Sequence, residues 1–539
     1  MSMTSESLVY ASMALGVANH LYWKRYERDD TKLHNVVTAL LPQPAILVAL
    51  AQRSLSFSPV MSCYAAFFLS LGTSIVLYRI SPFHPLAGVP GPFIARITKL
   101  WTFYIATTGE LAREMKKLHD VYGPVVRTGP NEISFIDGDA VTAVYGTNGI
   151  PKGKFYTIRT DPNSPTNLLF TTGQTHQRRR TRWNRALGTE SLKNYDDIVE
   201  RQTEELLEVL AQESKDGNHV DLTRKFQHYT FDIMSDVSFG RRFGVTKSND
   251  SAGYVRFIVD FSESINTLAW LPWAFHAAGL IPRITKVKMQ LLGFAKDLAT
   301  SRAQAGATQK DIWYHLMDEE DKDSQRPSIP EVVADGVLAI IAGTDTSAAA
   351  MSSTIWFVLR HPEVHKQLRK EIDEDFARNP DIRGELPYLS ACILEALRLH
   401  PPNASGGPRQ VPYDSPGKVI LGKYLPGGTQ VVVPPYSVHR NPDNFSSPAQ
   451  YLPDRWLPSS KSKFKNHRSE TFIPFSHGAA SCVGRALAHK EMLALLSRLF
   501  YNYDLKFAEG FDVQNWENTI MDYFISPMGP LKIVLTAKH

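Results

Sequence analysis

Three cysteines in 539 residues offer no disulfide framework, so the chain is not a small stapled scaffold, and its catalytic part suits a reducing compartment. There is no Gly-x-Gly-x-x-Gly fingerprint and no flavin domain, so the chain carries no dinucleotide site of its own. No repeat or low-complexity segment interrupts residues 93–539. Charge of one sign is also scarce, with a net value of only +5. The most basic run, Arg178-Arg179-Arg180-Thr181-Arg182 with Arg185, sits in a helix-like segment with no nucleic-acid motif around it. That excludes a nucleic-acid partner and leaves two readings, a solvated helix face or a docking surface for an acidic protein.

Long apolar runs are confined to the N-terminus, at 8–23, 36–51 and 59–78. Only the last approaches the roughly 20 residues a membrane helix needs, and the first two are marginal. Lys24, Arg25, Arg28 and Lys32 lie between the first two runs, Arg53 between the second and third, and Arg79 after the third. The positive-inside rule puts residues 24–32 and everything after Arg79 in the cytosol and the N-terminus in the lumen. Residues 1–6 carry no basic residue, against a cleaved signal peptide. The prolines of Ser81-Pro82-Phe83-His84-Pro85-Leu86-Ala87-Gly88-Val89-Pro90-Gly91-Pro92 forbid a helix and predict a stiff, extended linker.

At 43% hydrophobic and 21% charged residues, the rest is ample for a large core. Helical patterns dominate from 93 to 539. Strand signals concentrate at 125–127 and 132–136, and in a hairpin-like pair, 418–424 and 429–433, joined by Leu425-Pro426-Gly427-Gly428. The expected architecture is one mainly α domain with a minor β region. Its longest helix, 330–360, starts at Pro330 and spans about 45 Å. Asp335, Asp345 and a central run of Thr and Ser mark it as a buried core helix rather than a membrane span.

Cys63 and Cys392 lie in apolar surroundings and read as packing residues, which leaves Cys482 as the chemical candidate. It sits in Phe475-Ser476-His477-Gly478-Ala479-Ala480-Ser481-Cys482-Val483-Gly484, just before the helical pattern 485–500. Unpaired amides and the positive end of a helix dipole there favour a thiolate. Gly478 and Gly484 let the backbone approach a flat ligand. On the long helix, Ala342-Gly343-Thr344-Asp345-Thr346-Ser347 has two readings: hydroxyls offered to a site, or hydroxyls capping carbonyls in a kinked core helix.

The loop around Cys482 resembles the haem-binding loop of the cytochrome P-450 superfamily, F-x-x-G-x-R-x-C-x-G, in Phe475, Gly478, Cys482 and Gly484. The family arginine is replaced by Ala480. Further segments resemble the family in its order. They are the proline-rich hinge; a W-x-x-x-R helix with His176 in the tryptophan's place and Arg180 as its arginine; the A/G-G-x-D/E-T-T/S stretch at 342–347; Glu395 with Arg398; Arg409; and Arg455 in Tyr451-Leu452-Pro453-Asp454-Arg455-Trp456. The chain looks most like membrane-anchored fungal members acting in secondary metabolism.

The resemblance implies a cytochrome P-450 fold divided into a membrane anchor at 1–80 with up to three hydrophobic segments, a hinge at 81–92 and a haem-thiolate domain at 93–539. It implies haem b ligated by Cys482, with Phe475, Gly478, Gly484, Ala342 and Gly343 around it and Arg409, Arg180 and His176 toward its propionates. In the resembling enzymes the central helix widens locally. There Thr346 would place a hydroxyl beside bound O2 and Asp345 would link it to a proton-delivering water chain, while Glu395, Arg398 and Arg455 form a structural network. The implied activity is hydroxylation of an apolar, terpenoid-like or aromatic molecule. It uses O2 and electrons from a separate membrane-bound NADPH-dependent reductase, on the endoplasmic reticulum with the catalytic domain cytosolic. Substrate contacts are expected from 149–170, 335–346, 403–407 and 522–528. A haem-thiolate isomerase or dehydratase is the alternative, and the Asp345-Thr346 pair speaks against it.

Overall fold

The computed structural model describes residues 4–26, 33–52, 57–159, 165–279, 281–306, 309–319, 326–378, 385–464 and 467–538. Arg28, Lys32, Arg53 and part of the 149–170 segment lie outside them.

The N-terminus forms helices Ser5–Tyr26, Leu33–Leu40, Pro42–Gln52 and Phe57–Ile80. The apolar run at 36–51 is cut at Pro42, where the missing N–H and fixed φ begin a new helix, so neither piece is long enough to span. Phe57–Ile80 is long and apolar enough to cross a membrane, at about 36 Å. The first helix packs along it; a Cβ at Gly16 would meet Ser70 Oγ at 2.2 Å, and His20 Nδ1 lies 2.7 Å from Ser74 Oγ.

The proline-rich segment is not an extended linker. His84 N–H bonds the Ser81 carbonyl and Ala87 N–H bonds that of His84, with Pro82 and Pro85 second in their turns, where a fixed φ is an advantage. His84, Leu86 and Val89 are buried, and Arg127 N–H reaches the Pro90 carbonyl at 2.7 Å. The segment is docked onto the body.

That body is mainly helical, with a small β region at one side. Strands β1 (Val125–Gly129), β2 (Glu132–Phe135), β3 (His219–Asp221), β4 (Arg409–Gln410), β5 (Lys418–Ile420), β6 (Lys423–Leu425), β7 (Gln430–Val432), β8 (Tyr503–Phe507) and β9 (Lys532–Ala537) form three sheets, ordered β1-β2-β7-β4, β3-β9-β8 and β5-β6. The hairpin expected across 425–428 is placed differently. Leu421 (φ 48°) and Gly422 (φ 72°) make a primed turn inside the first segment, so β5 pairs with β6. Residues 425–428 instead carry the chain to β7, which runs parallel to β2 and antiparallel to β4.

The central helix, Ile329–Arg360, starts at a reciprocal cap between Ser328 and Glu331 with Pro330 in its first turn, and stops before Pro362. At 32 residues it extends about 48 Å. From Ser347 to Val358 every residue is buried, so its apolar character answers to the core. It packs against Leu222–Phe239, Pro387–Leu399 and Arg485–Asn502.

Candidate active site

The central helix and the loop that precedes Arg485–Asn502 meet around one cavity of about 1780 Å³. Single small-molecule sites occupy roughly 300–1,000 Å³, so this volume takes a flat cofactor and a second molecule together.

Cys482 enters it from a loop that reverses at Ser476 (φ 60°) and Gly478 (φ 71°). The loop is closed by N–H groups of Ser481 to the Gly478 carbonyl (3.0 Å) and of Cys482 to the Phe475 carbonyl (2.7 Å). A Cβ at Gly478 would lie 2.0 Å from the Tyr145 carbonyl oxygen. Its glycine therefore serves the packing of the loop on residues 145–146, not the clearance of a ligand. Gly484 lines the cavity, has φ −81°, and a Cβ there would meet only Cys482 Sγ, at 3.9 Å.

The exposed surface of Cys482 faces the cavity. Burial is the largest influence on its thiol and pushes its pKa up, against the Gly484 and Arg485 amides and the charges of Arg180 and Arg485. The amides at the helix start favour the thiolate as the sequence leads one to expect, but burial outweighs them in the free side chain. A metal would make it a thiolate, because a coordinated thiol is deprotonated outright. Among the described residues no group of three His, Cys, Asp or Glu could hold a metal ion, so such a metal would arrive inside a cofactor.

Four basic side chains converge in the cavity wall: Lys152, His176, Arg180 and Arg409. Lys152 Nζ donates to the carbonyls of Leu169 (2.7 Å), Thr171 (3.2 Å) and Leu168 (3.4 Å). Burial, then the charges of Arg409 and Arg180, push its pKa down to about 7. Burial, then Lys152, Arg180 and Arg409, hold His176 down at about 4. Arg180 Nη1 donates to the Ser481 carbonyl and its Nε to Asn184 Oδ1 at 2.9 Å, so it ties its helix to the Cys482 loop. Arg409 lies over the Tyr145 ring, 5.1 Å from its centroid, and its Nε is buried without an acceptor. No ion pair to a carboxylate is found for any of the four among the described residues. Basic groups crowded without a counter-charge, one of them orphaned, suit a ligand with two carboxylates, and haem fits. Sequence reasoning missed Lys152; its position next to Arg409 comes from an isolated antiparallel bridge between residues far apart in the chain.

On the central helix, Ala342, Gly343 and Thr346 line the cavity. The smallness of Gly343 serves another purpose than room for a cofactor: a Cβ there would lie 2.6 Å from Met234 Cγ, on the packed helix Leu222–Phe239. The helix shows no local widening. Thr346 Oγ1 donates to the Ala342 carbonyl and Thr344 Oγ1 to that of Ile340, both at 2.7 Å, within an unbroken α ladder. Asp345 does not line the cavity. It is buried beside Gln227, whose Nε2 donates to Oδ1 at 3.3 Å, while Oδ2 has no partner. Burial pushes its carboxyl up to about 7. Glu491, which the sequence reading passed over, lines the cavity and is pushed up to about 8 by burial, with one oxygen unpartnered.

Glu395, Arg398 and Arg455 come together in full burial. Glu395 accepts from Arg398 Nε and Nη2 (both 2.9 Å), Arg455 Nε (3.0 Å), Trp456 Nε1 (3.0 Å) and Leu452 N (2.9 Å). Burial alone would raise its pKa, yet Arg398, Arg455 and the Leu452 amide hold it low. Arg398 also donates to the carbonyls of His439, Pro448 and Gln450.

The basic run is not one solvated stripe. Arg179 is buried against Asp335 (2.8 Å), Arg180 faces the cavity and Arg185 pairs with Asp318 (3.2 Å). Lys490 bonds Asp196 and the Leu192 carbonyl. The expected contribution of Asp335 to the cavity is spent on Arg179. Conversely, Phe261, Ile265, Leu291 and Leu292, from helices Tyr254–Leu268 and Pro282–Ala305, line the cavity although no sequence motif marked them.

A family model described as Cytochrome P450 matches residues 90–534. The chain is similar to a cytochrome P450 monooxygenase, orf5, of Eupenicillium brefeldianum, at 30% identity over 87% of this chain and 95% of the relative. It is also similar to cpaH, a cytochrome P450 monooxygenase of Aspergillus oryzae, at 29% over 85% and 90%, and to the tryprostatin B 6-hydroxylase of Aspergillus fumigatus, at 29% over 97% and 93%. Proteins matched by this family model are haem-thiolate enzymes, with a cysteine as the axial ligand of iron.

Proposed function

The chain belongs to the cytochrome P450 family, and we propose that within it this oxidoreductase is a membrane-anchored monooxygenase hydroxylating an apolar, terpenoid-like or aromatic molecule in fungal secondary metabolism. Electrons come from NADPH through a separate membrane-bound reductase. In this reading residues 1–80 anchor the chain to the endoplasmic reticulum, 81–92 join anchor to body, and 93–539 form the catalytic domain on the cytosolic side. The observation that carries the reading is the cavity onto which Cys482, the Thr346 segment and the basic side chains Lys152, His176, Arg180 and Arg409 all open.

Haem, when bound, supplies the iron at which O2 is activated and one oxygen atom is inserted into a C–H bond. Cys482 would hold the metal as thiolate, stabilised by the amides of Gly484 and Arg485. Arg409, Arg180 and His176 would take the propionates, and Lys152, beside Arg409 in the same wall, would stand in for the arginine that the family places where Ala480 stands here. Thr346, whose hydroxyl bonds the Ala342 carbonyl in the cavity wall, would hold a proton there. Asp345, buried behind the cavity wall with Gln227 on one oxygen, would hold a proton at the other. The apolar walls exclude bulk water and select an apolar substrate.

The test is the carbon monoxide difference spectrum of reduced membranes containing the protein, alongside Cys482→Ala. A strongly red-shifted Soret band that the substitution abolishes supports the reading. A wild type that folds without haem overturns it.

A further inference from the structure

Arg159 stands in the cavity wall with Phe170 and Phe524, and none of the roles above uses it. Three rings surround its guanidinium, with Cζ 4.6, 5.2 and 5.9 Å from the centroids of Phe155, Phe170 and Phe524. Phe155 is itself packed on Trp270 and Phe524, at 5.0 and 5.3 Å between centroids, so the cage is fixed from behind. Arg159 Nε and Nη2 are buried and meet no acceptor. No carboxylate pairs with it among the described residues.

Burial pushes the pKa of Arg159 down to about 9, so the guanidinium still keeps its proton at neutral pH. Ring faces attract such a cation but cannot accept all its N–H groups, so the charge is held and left short of acceptors. The cluster of Lys152, His176, Arg180 and Arg409 contributes no group to this ring cage. Lys152 and His176 each feel the charges of Arg180 and Arg409, whereas neither feels Arg159. Tyr156 borders both groups, feeling Arg409 as well as Arg159. The remaining surface of Arg159 faces the cavity beside rings suited to an apolar body.

Resting on the reading of this cavity as the substrate chamber of a haem enzyme, we infer that the substrate is an apolar molecule bearing a carboxylate, and that Arg159 binds that carboxylate. The planar fork of the guanidinium matches both oxygens of the group. A neutral ester of the same body leaves the fork unsatisfied and forfeits the preference. Arg159 is thus a specificity residue, separate from the groups that hold the cofactor.

The experiment uses the full-length holoenzyme in detergent and follows the Soret shift on titration with dodecanoate and abietate, each beside its methyl ester. The acids should bind about tenfold or more tightly than their esters. Arg159→Gln should remove that preference by weakening the acids and sparing the esters, and Arg159→Lys should restore part of it. Haem content is measured for every variant first. Acids that bind no better than esters, whether both bind or neither does, overturn the inference, as does a preference surviving in Arg159→Gln. Loss of haem in Arg159→Gln also overturns it, because the guanidinium would then be serving a propionate. Failure of the parent reading is distinguishable, since the wild type would then lack the carbon monoxide band before any ligand is added.

Discussion

Lys152 and Arg409 are joined backbone to backbone in an isolated antiparallel bridge, and this places two positive side chains on the same cavity wall. Like charges brought together by the backbone repel, which helps to push Lys152 down to about 7, and an anionic ligand relieves them while keeping both charged. Arg409→Ala and Lys152→Met should each lower the haem-to-protein ratio, by about tenfold in affinity per cation removed, with little change in far-ultraviolet circular dichroism. Full haem occupancy in both purified variants would exclude the propionate role.

The two glycines of the Cys482 loop should respond differently. Gly478→Ala demands φ 71° of a residue with a Cβ and drives it to 2.0 Å from the Tyr145 carbonyl. It should cost folding itself, seen as a lower thermal midpoint of the haem-free protein. Gly484→Ala adds a methyl to the cavity side and should leave that midpoint within about a degree, while reducing haem content. Equal effects on the haem-free protein would contradict this division.

Burial pushes Asp345 up to about 7, more strongly than the Gln227 hydrogen bond lowers it. The unfolded chain loses this proton near pH 4 and the folded protein near 7. Between those values the folded state binds more protons, so its stability from this group is full at low pH and is lost as pH rises. Asp345→Asn does not titrate. Its stability advantage over wild type should grow by about 1.4 kcal/mol per pH unit from pH 4 to 7 and level off above. Denaturant titrations at pH 5, 6, 7 and 8 read this, and a constant difference would refute it.

Glu395→Ala leaves Arg398 and Arg455 charged and buried without their shared carboxylate. The expected loss is about 3–5 kcal/mol, measured as a fall in denaturation midpoint or in the yield of folded protein. A loss under about 1 kcal/mol would mean that the carbonyls of His439, Pro448 and Gln450 suffice for Arg398.

The central helix was legible because its signals are local. Pro330 and Pro362 bound it, and a largely apolar run fills it, broken by Asp335, Asp345 and the central Thr and Ser residues. The Glu395–Arg398 pair was legible for the same reason, since three residues on a helix set one face. The hairpin was misplaced because Leu421-Gly422 is a less conspicuous turn than Leu425-Pro426-Gly427-Gly428, although its φ values are the ones a tight hairpin needs. The basic run read as one feature, yet a helix turns each successive residue by about 100°, so Arg179, Arg180 and Arg185 meet three different surroundings.

The sequence by itself determined the mainly helical class, the apolar N-terminal helix, the buried central helix and the loop that carries Cys482, because spacing, proline and glycine act over a few residues. Only the tertiary structure decided what the loop's neighbours are. Lys152 meets Arg409 across 256 intervening residues, Gly343 is small for Met234, Asp345 turns to Gln227, and Arg159 is caged by Phe170 and Phe524. Burial and unpaired charge belong to groups assembled from distant parts of the chain, and no local pattern encodes them.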